Sequence, residues 1–404
     1  MINDLLADSE FQAKFVSPQS ESVAEAEFDL RAQLRSAFQD PIMHPPFTDS
    51  VFAGDTVVIV LQDDLQYPQE ILESLIGQFE ESNVSPADIS VVISEATAQT
   101  LGVKPDVYQL PPETKDEQPP LLFPLKFGFN TIQCQVHDPS NVAGLAYLAA
   151  NEAGDPVYAN RLLVESDVVI PVAAALPGDA SRQIDCVYPC FSGVAAQERL
   201  GSSEISGLAK RLEVALANDT LGAFFVVQVV DGPGGQLSHV FCGERTRVST
   251  KARETANQNW SFDYQGEAEM VVASIESDGD RQTWDDIVEA VLLADRVTTG
   301  DGPIVVLSEV KKKPNRAIAK ALQAQFEDGP TTGKTTDRLR ALASVLECRS
   351  VFLKSRLAPS IVEDLGLAPL DSVQQVNRVA EAVSSGLVIR DAHKCQLPVV
   401  SQPE

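Results

Sequence analysis

The sequence predicts an α/β protein of two domains, each a mainly parallel sheet with flanking helices, and a cleft between the domains. Three observations lead to this fold class. The chain has 404 residues, which exceeds an ordinary domain of about 100 to 150 residues. Residues 56–93 follow a strand, helix, strand pattern, and a right-handed unit of this kind builds a parallel sheet. The same alternation starts again at Glu269.

We therefore expect an N-terminal arm at residues 1–50, an N-terminal domain at 51–268 and a C-terminal domain at 269–404. The arm is polar and ends in Asp-Pro-Ile-Met-His-Pro-Pro-Phe at 40–47, where the prolines favour an extended chain lying against a domain. The first strand is a β-branched run at 56–61, the helix at 70–81 has apolar residues at helical spacing, and the next strand covers 89–93.

The rest of the N-terminal domain is less regular. Proline and charge at 104–130 predict an excursion from the sheet. Regular structure is predicted to return at 131–136, 156–163 and 168–172, followed by a helix at 204–217. Two final strands, 223–230 and 237–243, are joined by the glycine-rich turn at 231–235.

In the C-terminal domain the pattern predicts alternating strands and helices. The predicted strands are 269–274, 302–307, 350–353 and 386–390, and the predicted helices are 284–297, 316–326, 337–346 and 371–383. One stretch, Gly329 to Thr335, is similar to a phosphate-binding loop. It has three residues between its glycines instead of four and follows a helix, so we interpret it as a loop between helices.

The composition excludes several classes of function. With 58 acidic and 31 basic residues the formal charge is -27, which repels nucleic acids and anionic membranes. No long apolar run or leader-like N-terminus is present, so we expect a soluble cytoplasmic protein with neither kind of partner. Six scattered cysteines and four histidines predict free thiols and no metal site.

Residues 154–171 carry the most informative pattern. They contain a Gly-Asp-Pro-Val turn, the pair Asn160-Arg161, and Glu165-Ser-Asp167 leading into an apolar strand. Asp63 follows the first strand, and His137-Asp138 follows the strand at 131–136. In this order the segments resemble the lactate racemase family, and the resemblance covers about residues 40–398.

The resemblance implies racemisation or epimerisation of small 2-hydroxy acids with a nickel-pincer nucleotide. The substrate-binding positions that it implies are Asp63, Gln66, Thr97, Asn160, Arg161, Trp284 and Asp285.

Several residues that the family's reaction needs are replaced here. Gln66 stands for an arginine, Ala98 and Gly178 stand for the two histidines that would act as bases, and Val288 stands for a lysine. Racemisation needs a base on each face of the substrate, and imidazole suits this near neutral pH. Residues 162–209 contain no lysine or histidine, so we expect that no pincer is held covalently.

Three interpretations remain open. The chain could be a diverged enzyme acting on a small acid, with Asp63, Asp185 and one of Cys186 and Cys190 as acid, base or metal-binding groups. It could be a non-catalytic homologue that binds a small ligand or regulates a partner. It could also be a working racemase in which His137 acts, although a histidine after a buried strand is often structural. Likewise, Arg161 could bind an anion or pair with Glu165.

Overall fold

The computed structural model describes residues 12–16, 28–63, 65–81, 84–108, 118–127, 130–178, 187–201, 206–223, 225–233, 236–262, 264, 266–276, 279, 282–323, 337–372 and 374–397. The chain divides into two compact units, Ser22–Ala256 and Asn257–Glu404 with Met1–Glu21. This division falls inside a helix, whereas the sequence suggested a boundary after residue 268. Gly329 to Thr335, with its similarity to a phosphate-binding loop, lies outside the described residues.

The strands in chain order are β1 (Gln12–Val16), β2 (Val57–Leu61), β3 (Ile89–Ile93), β4 (Leu122–Phe127), β5 (Asn130–Val136), β6 (Leu145–Ala150), β7 (Pro156–Asn160), β8 (Val168–Ala174), β9 (Phe225–Asp231), β10 (Leu237–Glu244), β11 (Val271–Ser274), β12 (Ile304–Leu307), β13 (Val351–Lys354), β14 (Ala368–Leu370) and β15 (Ser385–Ile389).

The α-helices are α1 (Leu30–Gln39), α2 (Pro68–Glu81), α3 (Glu95–Thr100), α4 (Pro105–Tyr108), α5 (Arg161–Glu165), α6 (Val194–Gly201), α7 (Gly207–Thr220), α8 (Arg245–Trp260), α9 (Trp284–Asp295), α10 (Arg316–Gln323), α11 (Asp337–Cys348), α12 (Pro359–Asp364) and α13 (Gln374–Ala380). Among the described residues, no helix is both long enough and apolar enough to cross a membrane.

The first unit contains a seven-stranded sheet in the order β10-β9-β8-β2-β3-β5-β4. The five inner strands are mutually parallel, and β10 and β4 pair antiparallel at the two edges. Every residue of β2 is buried. Both faces of the sheet are therefore covered, which explains why β2 is a continuous β-branched run instead of an alternating one.

The second unit contains a six-stranded sheet in the order β1-β15-β11-β12-β13-β14, in which all pairs are parallel. Its core joins the sheet to α9 through residues such as Ile287, Val291 and Val306. These two sheets confirm the predicted α/β class with mainly parallel sheets.

The structure corrects the prediction for the first fifty residues. They contain α1, in which Leu34 and Phe38 are buried in the core of the first unit. Asp29 begins this helix by accepting a hydrogen bond from the backbone N–H of Ala32, at 3.0 Å. They also contain β1, which pairs in parallel with β15. The register places Gln12 opposite Ser385 and Val16 opposite Ile389. Helix α1 was not predicted because its buried side consists of Leu34 and Phe38 in an otherwise polar stretch of sequence.

Other elements were also not predicted, and two of them have a clear physical reason. The excursion at 104–130 includes β4, an edge strand that contains Pro124, and an edge tolerates proline because one side of the strand needs no N–H donor. Helix α8 is mostly polar, and its buried row has residues four apart, Val248, Ala252, Ala256 and Trp260. Val248, Ala252 and Ala256 bury little area each, so the apolar period is weak along most of the helix.

At Gly243, on the edge strand β10, the backbone of Ile42 comes very close to the first sheet. Ile42 pairs with β10 through two backbone hydrogen bonds, each 2.9 Å long. The Ile42 N–H donates to the Cys242 carbonyl, and the Glu244 N–H donates to the Ile42 carbonyl. A Cβ on Gly243 would lie 2.3 Å from the Ile42 oxygen, and its φ is +133°. Only glycine fits this position.

We expect Gly243→Ala to lower the free energy of unfolding by about 2 kcal/mol or more, since it adds backbone strain and a collision. Gly54→Ala is the control, because Gly54 also has a positive φ, +97°, but nothing within 4 Å of the added Cβ. Thermal or urea unfolding of both variants separates the two effects. Equal losses would show that the collision with Ile42 costs nothing.

Candidate functional site

The carboxyl ends of β2 and β8 form the topological switch point of the first sheet. From β2 the chain continues to β3 on one side, and from β8 it continues to β9 on the other. Open α/β sheets bind ligands in the crevice at such a point. Gln62 lies there, and its backbone N–H donates to the Val172 carbonyl of β8 at 3.0 Å. Asp63 is the next residue.

Asp63 is held by two hydroxyl groups from the segment that follows the neighbouring strand, β3. Ser94, the N-cap of α3, and Thr97 both donate to its Oδ1, the second at 3.0 Å. Ser94 in turn accepts a hydrogen bond from the Thr97 N–H at 3.1 Å. The carboxylate is exposed, and no donor among the described residues reaches its Oδ2. Asp63 therefore presents one oriented, free acceptor at the sheet edge.

Gln62 adds a polar group without a partner. Its side chain is 9% exposed, and its Nε2 is buried with no hydrogen bond among the described residues. A buried amide donor left unpaired costs about 1 to 3 kcal/mol. A ligand oxygen at the switch point would remove that cost.

His137 lies at the end of β5, and both of its ring nitrogens are used. Nε2 lies 3.0 Å from the Ser192 carbonyl, which can only accept, so we assign the proton to Nε2. Nδ1 then accepts from Asn160 Nδ2 at 3.2 Å. Burial lowers the pKa of His137, which favours the neutral ring. In this arrangement His137 has no free nitrogen for proton transfer.

Asn160 is likewise fully engaged. Its amide N–H also donates to Gln135 Oε1 at 2.7 Å, and its Oδ1 accepts from the Leu162 N–H at 3.0 Å, which starts α5. The side chain is completely buried. Its contacts are those of a structural residue that joins β5, β7 and α5.

Arg161 uses its guanidinium within the protein. It donates to the carbonyls of Ala143 at 3.1 Å and Leu145 at 3.0 Å, and to Glu165 Oε1 at 3.2 Å. The backbone acceptors place it over the turn that precedes β6. These contacts favour the structural interpretation of Arg161 over anion binding.

The other candidates divide into three groups. Gln66 is half-buried and forms no hydrogen bond within the described residues. Asp185 and Cys186 lie outside the described part of the chain, and Cys190 is half-buried. Ala98, at which the resemblance places a histidine, is fully buried.

In the second unit Trp284 and Asp285 begin α9. Trp284 is buried, and its indole N–H donates to the Lys312 carbonyl at 2.7 Å. Asp285 is exposed and accepts from Arg338 at 3.0 Å. Both side chains thus have partners inside their own unit. The side chains of Lys311, Lys312 and Lys313 are exposed, as a solvated loop requires.

The residues at the sheet edge of the first unit do not fit a nickel-pincer nucleotide. Asp63, Ser94, Thr97 and Gln62 offer hard oxygen and amide groups, whereas nickel suits imidazole or thiolate and the pincer needs a lysine amine. The imidazole of His137 is already engaged at both nitrogens. Within the described residues, no group of three or more His, Cys, Asp and Glu side chains could hold a metal ion. The described side chains at this edge therefore give the pincer no anchor.

Sequence reasoning selected Asp63 and Thr97, and the structure brings them together. It did not select Ser94 or Gln62. A serine directly after a strand and three residues before threonine is a helix N-cap signal, so Ser94 could have been found. The unpaired state of Gln62 depends on its neighbours and has no sequence signal.

These features define an α/β protein with a polar site at the carboxyl edge of a parallel sheet. Its solved structural neighbours include the lactate racemase apoprotein from Thermoanaerobacterium thermosaccharolyticum, with a TM-score of 0.67, 15% identity and 96% of each chain covered. A second is a protein from Thermotoga maritima known from its crystal structure, with a TM-score of 0.59, 12% identity and coverage of 91% of this chain and 97% of that one.

The chain thus has a lactate-racemase-like fold, which confirms the resemblance at the level of fold. No protein-family model matches the sequence, and no curated protein matches it.

Proposed function

We propose that this chain is a diverged lactate-racemase-like protein that binds a small 2-hydroxy acid, or a related hydroxylated acid, at Gln62, Asp63, Ser94 and Thr97. The observation that carries the proposal is the Asp63 carboxylate, which two hydroxyls orient and whose Oδ2 has no donor among the described residues. The preceding residue, Gln62, supports a ligand at this edge, because its buried Nε2 has no hydrogen-bond partner among the described residues.

The chemistry of these groups suggests how the ligand is held. Asp63 Oδ2 would accept a hydrogen bond from the ligand hydroxyl, and the amides of Gln62 and Gln66 would donate to its carboxylate. Neutral amides bind a carboxylate more weakly than a bidentate arginine does. We therefore expect dissociation constants of about 1 mM, near 4 kcal/mol of binding free energy.

The carboxylate of Asp63 also restricts which reaction this site could catalyse. A carboxylate can accept a hydroxyl proton as a general base, but it is a weaker base than imidazole near neutral pH. A reaction at this site would therefore differ from the family's two-histidine racemisation, and we propose a diverged activity.

A non-catalytic role is the alternative, either ligand binding alone or regulation of a partner. The occupied nitrogens of His137 and the buried Ala98 favour it, because they leave no free imidazole for proton transfer among the described residues at this edge. The two proposals share a ligand site and differ in turnover.

Asp63→Asn tests the site. Calorimetric titration with the two lactate enantiomers and other 2-hydroxy acids should show binding to the wild type and at least about tenfold weaker binding to the variant, because the amide loses charge and one acceptor. Asp106→Asn is the matched control, since Asp106 is exposed and has no described contact. Equal binding by wild type and Asp63→Asn would overturn the proposal.

A measurement of turnover distinguishes a diverged enzyme from a non-catalytic ligand-binding protein. Chiral chromatography of each acid after incubation with the protein detects racemisation or epimerisation, and mass spectrometry detects other products. Conversion that Asp63→Asn abolishes supports a diverged enzyme, whereas binding without conversion supports the non-catalytic alternative. Intact mass and metal analysis of the purified chain address the cofactor: nickel with a covalent adduct would contradict the expectation that the pincer is lost.

A further inference from the structure

Helix α7 carries an apolar stripe on its outer side. Leu208, Leu212 and Leu216 are spaced four residues apart and are 60%, 42% and 38% exposed. The opposite side of the helix is buried through Glu213, Ala217 and Asn218. Exposed leucines are ordinary when scattered, but three in one row along a helix indicate a contact surface.

The same outer side carries a second row at the same spacing, Arg211, Ala215 and Asp219. Arg211 is exposed and has no partner among the described residues. Asp219 accepts a hydrogen bond from Arg245 at 2.7 Å, yet its side chain is still 55% exposed. The face therefore combines an apolar row with a row that is basic near the helix start and acidic near its end.

We propose that this outward face of α7 is the contact surface between two copies of this chain, packed antiparallel across a twofold axis. In that arrangement the Leu208 end of one helix meets the Asp219 end of the other, and Leu212 and Ala215 lie near the axis. Rows spaced four residues apart pack into one another in the commonest helix pairing, and a small residue such as alanine permits close approach.

Charge selects a second copy over other occupants. In the antiparallel pair, Arg211 and the positive start of one helix lie about one turn from the exposed part of Asp219, beside its bond to Arg245, and from the negative end of the partner helix. The net charge of -27 repels an anionic membrane and also opposes association of two copies, so these local contacts have to outweigh it. One helix face forms a small interface, so the dimer is a weak one in exchange with monomer.

Sedimentation of the full chain over a range of concentrations measures the association. We expect a monomer–dimer equilibrium, and we expect Leu212→Glu to weaken it by at least about 100-fold, because two unpaired charges would meet at the axis. Leu122→Glu is the matched control, since Leu122 is 51% exposed on β4, and it should leave the equilibrium unchanged. Circular dichroism of both variants verifies folding.

A cross-link tests the predicted axis. Ala215→Cys should form an intermolecular disulfide under mild oxidation, and Leu122→Cys should not exceed the background of the wild type, in which Cys348 is exposed. A wild-type chain that stays monomeric, or a dimer that Leu212→Glu leaves intact, overturns the proposal. Binding to phosphatidylglycerol vesicles that Leu212→Glu abolishes would assign the face to a membrane surface and overturn it as well.

Discussion

Replacement of Glu213 by alanine is expected to lower the free energy of unfolding of the first unit by about 3 to 4 kcal/mol. Glu213 is 6% exposed and receives Arg199, whose Nη1 donates at 2.7 Å and whose Nη2 donates to the second oxygen. Tyr188 donates to it at 2.7 Å and Asn151 at 3.0 Å. Removing the carboxylate leaves these donors without their acceptor.

The same carboxylate predicts acid sensitivity. Burial raises the pKa of Glu213, but the hydrogen bonds from Arg199, Tyr188 and Asn151 outweigh it and hold the pKa below its ordinary 4.5. The unfolded state therefore takes up the proton first as the pH falls. The stabilisation is complete above about pH 4.5 and is lost as the pH drops further through the folded-state pKa.

Urea unfolding near neutral pH and in acid measures both effects. Glu198→Ala is the control, because Glu198 is exposed on α6 and has no described partner, and it should change stability by less than about 0.5 kcal/mol. A Glu213→Ala variant no less stable than Glu198→Ala would show that the buried network adds nothing to stability.

The second large effect is expected at His137. Its pKa is lowered by burial, so the folded protein keeps the ring neutral while the unfolded chain protonates near the ordinary value of 6.5. The stability from this residue is therefore present above about pH 6.5 and is lost as the pH falls through the lower folded-state pKa. His137→Ala should cost about 2 to 3 kcal/mol near neutral pH, since Asn160 and Ser192 lose their partner.

His137→Gln separates the structural role from a catalytic one. A glutamine amide can still donate to the Ser192 carbonyl, so we expect part of the stability to return and the pH dependence below about 6.5 to flatten. Binding of 2-hydroxy acids at Asp63 should stay within about twofold of the wild type. If His137→Gln instead abolishes a measured turnover while the fold is intact, the interpretation of His137 as structural is wrong.

Much of the fold was predictable from local patterns. The β-branched run of β2 and the apolar residues Ile71, Leu72 and Leu75 at helical spacing in α2 are buried. Runs and spacings of this kind can be recognised in the sequence itself. Helix α8 was missed because three of the four residues in its buried row, Val248, Ala252 and Ala256, are small or β-branched and carry a weak hydrophobic signal. Strand β1 was missed because its partner, β15, lies more than 350 residues later in the chain.

The candidate site was predictable only in part. Asp63 and Thr97 follow neighbouring parallel strands, and carboxyl ends of such strands meet at one edge. Asn160 ends β7 and Arg161 begins α5, but their polar groups turn inward to Gln135 and to the Ala143 and Leu145 carbonyls. A residue type at a strand end does not reveal whether its hydrogen bonds are already made.

Residue identity and short-range periodicity were enough to establish the α/β class, the strong negative charge, and the absence of lysine and histidine from residues 162–209. The folded chain was needed to show that His137 is engaged at both nitrogens, one partner being 55 residues away in the chain. It was also needed to show that, among the described residues, one oxygen of Asp63 and the Nε2 of Gln62 have no hydrogen-bond partner. Hydrogen bonding depends on which distant groups folding brings within about 3 Å, and no local pattern encodes that.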